Sequence, residues 1–164
     1  MPSISALLHT TNDAPRLGRA LETLYPCAEI LVVDHNSSDN TLRVAREYGA
    51  RIVSVGGKNA SGNLQPSLLQ SAAHDWIFCI DPREALTEAL AASLFEWRGL
   101  PSKSMLANSF AIVLREETPT GWQELSAPQT RLVPRDWSRW QDHFPAHDPH
   151  APLLTGELLR FSFP

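Results

Sequence analysis

The stretch that decides the fold, residues 30–41, reads ILVVDHNSSDNT. Four apolar residues lead directly into an acidic turn rich in Asn and Ser, and that turn opens a helix. Because ligands of open α/β sheets bind beyond the carboxyl ends of the strands, an acid at this point is well placed to meet one. Asp34 is therefore predicted to bind a ligand. The alternative is that Asp34 only caps the turn and Asp39 only caps the following helix.

The alternation of strand and helix continues on both sides of this stretch. Apolar runs typical of buried strands occur at residues 4–8, 29–33, 51–55 and 76–80. Helices are predicted between them: the first has an apolar face of Leu17, Leu21 and Leu24, the second of Leu42, Ala45 and Tyr48, and the third spans residues 67–73. This spacing implies right-handed crossovers and a mainly parallel sheet that is covered on both faces.

The pattern changes after the fourth strand. A helix is predicted at residues 87–97, and the later apolar runs have no helices between them. They are predicted to be antiparallel strands at 109–115, 121–125 and 130–133. Residues 136–152, rich in Pro and His, are interpreted either as a loop folded over the site or as a poorly ordered segment. The predicted fold class is α/β, with a mainly parallel sheet and a C-terminal antiparallel part.

Composition limits the classes of partner. With 164 residues and 43% hydrophobic content, the chain is large enough for one domain with a core. A net charge of −4 without a run of Lys or Arg argues against nucleic acid or an anionic membrane surface as partner, and favours small molecules. The two cysteines lie far apart, and the sequence has no leader or transmembrane pattern. We therefore expect a cytoplasmic protein, and a homo-oligomer remains open.

The strand and turn segments described above, residues 30–41 in particular, resemble the family 2 inverting nucleotide-sugar glycosyltransferases, which have the GT-A fold. The specific part is residues 32–41, which match the pattern Val-Val-Asp-x-x-Ser-x-Asp-x-Thr. Supporting matches, in the family's order, are Thr10-Thr11-Asn12, Tyr48-Gly49-Ala50, Asp75-Trp76-Ile77 and Asp81-Pro82-Arg83-Glu84. The resemblance is nearest to lipopolysaccharide core glucosyltransferase-like members. It implies one domain over residues 1–164, with 1–100 as the nucleotide-sugar-binding half and 101–164 as the acceptor-side half.

The resemblance also implies the ligands and their contacts. The base of a nucleoside diphosphate sugar, UDP-linked or similar, would be held by Thr11, Asn12 and Asp34, since a carboxylate accepts an N–H from a base edge. Asp81 would lie near the diphosphate, normally through a Mg or Mn ion that neutralises the leaving group. A hexose would then be transferred with inversion to a glycan or lipid-linked acceptor.

The acidic motif departs from the family pattern. Related enzymes carry Asp-Ala-Asp-Glu at the position of residues 81–84, so Arg83 replaces the second acid that holds the cation. In one interpretation, Arg83 takes the role of the metal and binds the diphosphate through its planar guanidinium. In the other, Arg83 only pairs with Asp81 or Glu84, activity is lost or weakened, and the fold survives as a nucleotide- or protein-binding module. The sequence leaves both open.

The C-terminal third contains a candidate general base. His147-Asp148, after the Arg131-Leu132 strand, resembles a His-Glu pair near the acceptor in related enzymes, and Asp148 would accept the proton of the acceptor hydroxyl. The alternative is that both lie on an inert surface loop. A zinc site of His143, His147 and His150 is disfavoured, because the intervening prolines oppose the helical spacing that would bring these side chains together.

Two further features could contact a sugar donor or acceptor. Trp137 and Trp140 could stack on a sugar face, although such residues more often fill a core. Lys58 and Asn59 could reach the donor phosphates if their Gly-rich loop folds over the site, and the alternative is a solvated loop.

Overall fold

The computed structural model describes residues 2–56, 65–100, 107–125 and 127–164, apart from the side chain of Gln65. The strands in these residues are β1 (Ile4–Thr10), β2 (Glu29–Asp34), β3 (Arg51–Ser54), β4 (Trp76–Cys79), β5 (Glu84–Leu86), β6 (Phe110–Thr118), β7 (Gly121–Glu124), β8 (Gln129–Pro134), β9 (Trp140–Gln141), β10 (Phe144–Pro145) and β11 (Leu153–Arg160). The helices are α1 (Ala14–Glu22), α2 (Thr41–Glu47), α3 (Gln65–Ser71) and α4 (Glu88–Arg98). Lys58 and Asn59 lie outside the described residues, so their expected role stays a prediction.

The N-terminal half of the large sheet is parallel, in the order β3-β2-β1-β4. Thr10 at the end of β1 lies opposite Asp34 at the end of β2, and Leu7 lies opposite Cys79 at the end of β4. The carboxyl ends of these strands therefore meet at one edge. Nearly every residue of β1 is buried, as expected for a parallel strand covered on both faces.

The rest of the sheet continues from β4 in the order β8-β6-β11-β5, with β7 on β6. The β4–β8, β8–β6 and β11–β5 pairs are antiparallel, and the β6–β11 pair is parallel. The predicted α/β fold with a C-terminal antiparallel part is thus confirmed. The strands β5 and β11 were not predicted, because β5 has three residues and Gly156 interrupts the apolar run of β11.

The segment 136–152 contains a short hairpin of β9 and β10. Asp142 and His143 form its two-residue turn, and Asp142 has a positive φ of 54°. Of the two interpretations of this segment, the folded loop is the one observed.

Two apolar clusters cover the two faces of the sheet. On one face, α1, α2 and α4 pack against the sheet and contribute buried residues such as Leu17, Ala45 and Leu94. On the other face, Leu69 of α3 packs beside Trp137. Among the described residues, no helix has both the length and the apolar character needed to cross a membrane.

Candidate functional site

The loops that follow β1, β2 and β4 carry the predicted donor-binding residues at one edge of the sheet. Thr11 and Asn12 follow β1, Asp34 ends β2, and Asp81 and Arg83 lie in the turn after β4. The parallel pairing of these strands brings the five residues to the same edge. This is the edge at which open α/β sheets bind ligands.

Asn12 joins the loop after β1 to the loop after β2. Its side-chain Oδ1 accepts hydrogen bonds from the backbone N–H groups of Ser38 (2.7 Å) and Asp39 (3.3 Å), and its own N–H donates to Ser37 Oγ (2.9 Å). The φ of Asn12 is 53°, a left-handed conformation that Asn tolerates well. The adjacent Thr11 is exposed, and its hydroxyl lies 3.5 Å from the carbonyl oxygen of His35. Asn12 therefore fixes the loop geometry, and Thr11 faces solvent beside it.

Asp34 both caps the turn and retains an unused acceptor. It is 3% exposed, and its Oδ2 accepts a hydrogen bond from the Ser37 N–H over 3.2 Å. Its Oδ1 is buried and has no hydrogen-bond partner among the described residues. A buried acceptor without a donor costs about 1–3 kcal/mol, so a ligand N–H reaching Oδ1 would stabilise the complex.

Asp81 and Arg83 form an ion pair within the turn after β4. Arg83 Nε lies 2.9 Å from Asp81 Oδ1, and the Arg83 backbone N–H donates to the same oxygen over 2.9 Å. The Arg83 side chain is 46% exposed and that of Asp81 is 20% exposed. Burial acts to raise the pKa of the Asp81 carboxyl, but the hydrogen bonds from Arg83 outweigh it, so this pKa lies below its ordinary value. Asp81 therefore stays ionised and orients Arg83.

Glu84 is the centre of a charged network that the sequence analysis did not identify. Its carboxylate accepts hydrogen bonds from Arg131 (2.8 and 3.0 Å) and from Arg160 (3.0 Å), and it also accepts the backbone N–H of Asp81 (2.8 Å). The Glu84 side chain is 0% exposed and that of Arg131 is 2% exposed. This network anchors the Asp81 turn to β8 and β11. Its signal in the sequence was an acid at the start of the short strand β5, together with an Arg in each of the later strands β8 and β11.

The turn after β4 does not suit a magnesium or manganese ion. These hard cations need several oxygen ligands, usually including carboxylates. In the described part of the turn, Asp81 is paired with Arg83, and both oxygens of Glu84 are bonded to arginines. Arg83 also brings positive charge to the position of the second acid. The side chains of this turn therefore do not suit the divalent cation that the family resemblance implies.

Asp148 is held by several groups away from the Asp81 turn. Ser109 Oγ donates to one carboxylate oxygen over 2.7 Å, the His150 N–H donates to the other over 3.0 Å, and Arg139 lies 3.6 Å away. These contacts, that of Ser109 above all, hold the pKa of Asp148 below its ordinary value. The Asp148 N–H donates to Thr130 Oγ1 in β8. Asp148 thus accepts hydrogen bonds as an ionised group in this state.

Two cavities adjoin the C-terminal half. One, of about 430 Å³, has basic side chains in its lining, including Arg131, His147 and Arg160. The other, of about 530 Å³, lies between α3 and residues 135–140 and is lined in part by Trp137 and Trp140. Trp137 is only 9% exposed and packs in the core, so Trp140 is the more accessible ring of the pair.

Comparison with known proteins gives glycosyltransferases as relatives. A lipopolysaccharide core biosynthesis glycosyltransferase, LpsC of Rhizobium meliloti, is 33% identical over 96% of this chain and 63% of its own length. An uncharacterized glycosyltransferase of Rickettsia felis is 35% identical over 55% of this chain and 32% of its own length. The chain therefore spans less than two thirds of the length of these relatives. No protein-family model matches the sequence.

The fold has a counterpart among solved structures. The crystal structure of S. aureus TarS, residues 1–349, aligns with a TM-score of 0.50 and 17% identity, over 71% of this chain and 35% of that one. At this identity the likeness concerns the fold alone. By sequence, the chain is related to bacterial glycosyltransferases over part of their length, and its fold is of the GT-A type.

Proposed function

We propose that the chain binds a nucleoside diphosphate sugar at the carboxyl edge of β1, β2 and β4, and transfers its hexose with inversion to a glycan or lipid-linked hydroxyl. The observation that carries this proposal is the Asp81–Arg83 ion pair, which holds an exposed guanidinium at that edge. The relatives named glycosyltransferase support the reaction class.

The nucleoside base is assigned to Asp34 and Thr11. Asp34 Oδ1 is buried without a partner among the described residues and matches the imide N–H of a uracil ring. The exposed Thr11 hydroxyl adds a second polar contact beside it. Asn12 contributes by holding the two loops together, since its side chain already accepts two backbone hydrogen bonds.

The diphosphate is assigned to Arg83. Asp81 engages Nε at 2.9 Å and Nη2 at 3.4 Å, and among the described contacts Nη1 remains for phosphate oxygens. A guanidinium suits this role because its planar donors match phosphate geometry, and charge-assisted hydrogen bonds are about twice as strong as neutral ones. Hydrogen bonds from Arg83 would therefore stabilise the leaving diphosphate in place of a divalent cation.

Acceptor activation is assigned to Asp148, within the acceptor-side half 101–164. Inverting transfer needs a base that takes the proton of the attacking hydroxyl. Asp148 lies on the segment that also borders the cavity of about 430 Å³. For this role, the acceptor hydroxyl would have to replace Ser109 as the donor to Asp148.

A second candidate function is nucleotide binding without transfer. It is favoured by the same Asp148 contacts, since an acid whose pKa lies below its ordinary value is a weaker base. Both candidates share the proposed donor site, and they differ in whether the sugar is cleaved from the bound nucleotide and transferred.

Calorimetric titration with UDP, GDP and their sugars, in excess chelator, tests the donor site. We expect one nucleotide to bind without a metal ion. Asp34→Asn should lower the affinity for that nucleotide at least tenfold, because the amide can still accept the Ser37 N–H but no longer supplies a charged acceptor. Asp75→Asn, at a side chain that is 87% exposed, is the matched control and should bind as the unaltered protein does. Failure of every nucleotide to bind would overturn the proposal.

Turnover of the nucleotide-sugar donor distinguishes the two candidate functions. Donor turnover in chelator, with loss of turnover in Asp148→Asn but retained nucleotide affinity, is the result expected for the transferase. Nucleotide binding without turnover, with or without manganese, would instead establish the binding module.

A further inference from the structure

Three histidines from separate elements meet beside the carboxyl edge of the sheet. His9 is the next-to-last residue of β1, His35 directly follows β2, and His143 lies in the turn between β9 and β10. One ring nitrogen from each residue can be chosen so that all three lie within 4.8 Å of one another. Nδ1 of His9 and Nε2 of His35 are only 2.8 Å apart, a distance at which one nitrogen donates a hydrogen bond to the other.

The sheet holds the backbones of His9 and His35, whereas His143 belongs to the β9–β10 hairpin. His9 is part of β1, and the His35 N–H donates to the Thr10 carbonyl over 2.9 Å, so both backbones are held in register. His143 is exposed, and its ring stacks on His9 with centroids 3.8 Å apart and planes inclined by 24°. The exposed His143 ring therefore has more freedom to turn than the rings of His9 and His35, whose backbones the sheet holds.

The spacing suits a small transition-metal ion. Around a tetrahedral zinc ion with Zn–N bonds of ~2.0–2.1 Å, neighbouring ligand nitrogens lie ~3.3 Å apart. The His9–His35 pair at 2.8 Å needs to open only slightly to reach that spacing. His143 needs to turn its ring from the stacked position so that one nitrogen faces the other two.

We propose that His9, His35 and His143 form a three-histidine site for Zn²⁺ or a similar imidazole-binding transition-metal ion, with the remaining coordination position open to water or a ligand. Imidazole nitrogens favour zinc, copper and nickel over magnesium and manganese, so this site differs in chemistry from the acidic motif of related enzymes. A bound ion would also tie the tip of the β9–β10 hairpin to the ends of β1 and β2. The proposal requires no nucleotide and is independent of the proposed function.

The test is calorimetric titration of Zn²⁺ into the full chain after removal of metals with chelator. One ion per chain is expected. His143→Ala should weaken the affinity by more than ~100-fold, because it removes a direct ligand, whereas even indirect supporting groups contribute ~10–100-fold. His147→Ala and His150→Ala, on the same exposed segment, are matched controls and should bind as the unaltered protein does.

A second readout uses Co²⁺, whose visible absorption reports its coordination geometry. The unaltered protein should give the spectrum of a low-coordinate, nitrogen-ligated ion, and His143→Ala should give the spectrum of the hydrated ion. Circular dichroism verifies that His143→Ala is folded, as expected for an exposed turn residue. The proposal is overturned if Zn²⁺ does not bind stoichiometrically, or if the three variants lose affinity equally.

Discussion

Glu84 accepts two hydrogen bonds from Arg131, over 2.8 and 3.0 Å, in the interior beneath the turn after β4. Neither side chain is more than 2% exposed. Arg131 also donates to the Cys79 carbonyl at the end of β4, over 3.1 Å. The pair thus connects β4, β5 and β8 where the Asp81 turn begins, and it holds that turn in position at the sheet edge.

Glu84→Gln should destabilise the protein strongly. The substitution preserves shape but leaves the Arg131 charge buried without its full counter-ion, and breaking a buried pair in this way costs about 3–5 kcal/mol. Urea denaturation followed by circular dichroism would measure the loss in the free energy of unfolding. Glu47→Gln is the matched control, because Glu47 pairs with Arg43 at the surface, where the two side chains are 57% and 75% exposed. Its effect should stay below about 0.5 kcal/mol. Equal losses in the two variants would contradict the assigned role of the buried pair.

Arg83→Asp should change the way in which the donor site treats metal ions. It removes the guanidinium assigned to the diphosphate and introduces a carboxylate two residues after Asp81. We expect the affinity for UDP in chelator to fall by at least tenfold, since a charge-assisted contact contributes ~1.5–3 kcal/mol. Added manganese should restore part of the lost affinity for UDP, because two nearby carboxylates supply oxygen ligands to the ion. Titration of UDP with and without Mn²⁺ measures both effects.

Arg43→Asp serves as the control for this charge change, because Arg43 is a highly exposed residue of α2. It should leave the UDP affinity and its metal dependence unchanged. Unchanged UDP binding in Arg83→Asp would contradict the assignment of Arg83 to the diphosphate.

The sequence predicted that the candidate residues meet at one edge of the sheet because its signals are local. The apolar run before Asp34 and the polar turn after it are contiguous, and the parallel pairing of β1 with β2 follows from a right-handed crossover. The structure shows the turn-capping use of Asp34, whose Oδ2 accepts the Ser37 N–H, whereas its ligand-binding use stays a prediction. The assignment of base contacts remains a prediction.

The contacts missed by the sequence analysis join residues far apart in the chain. Glu84 and Arg131 are 47 positions apart, and they meet only because β8 inserts between β4 and β6. His143 was compared with its neighbours in sequence, His147 and His150, but a two-residue turn directs it towards His9 and His35. Such pairings depend on strand order beyond β4, where no repeated strand–helix unit constrains the topology.

Glu29 should make stability depend on acid pH. Burial acts to raise the pKa of this carboxyl, but hydrogen bonds from Ser5, Ala73 and Arg51 outweigh it, so its pKa in the folded protein lies below the ordinary value of 4.5. Its contribution is therefore complete above about pH 4.5 and is lost as the pH falls through the folded-state pKa. In Glu29→Gln, melting temperatures measured from pH 7 to pH 3 should start lower and fall less steeply than in the unaltered protein. Glu22→Gln, at an exposed position ending α1, should reproduce the unaltered profile, and a parallel profile for Glu29→Gln would contradict the argument.

Gly156 should tolerate no side chain, because β11 passes directly over the beginning of α4. A Cβ at this position would lie 2.2 Å from the backbone nitrogen of Leu90, and its φ of +101° already disfavours other residues. Gly156→Ala should therefore lower the free energy of unfolding by about 3 kcal/mol or more, since strain and overpacking add. Gly121→Ala separates the two causes. The φ of Gly121 is +130°, but within the described part of the chain, its two sequence neighbours aside, no atom lies within 4 Å of the added carbon. Strain alone should cost about 1 kcal/mol there. Denaturant unfolding of both variants measures the difference, and equal losses would show that backbone strain, and not the contact with α4, dominates at Gly156.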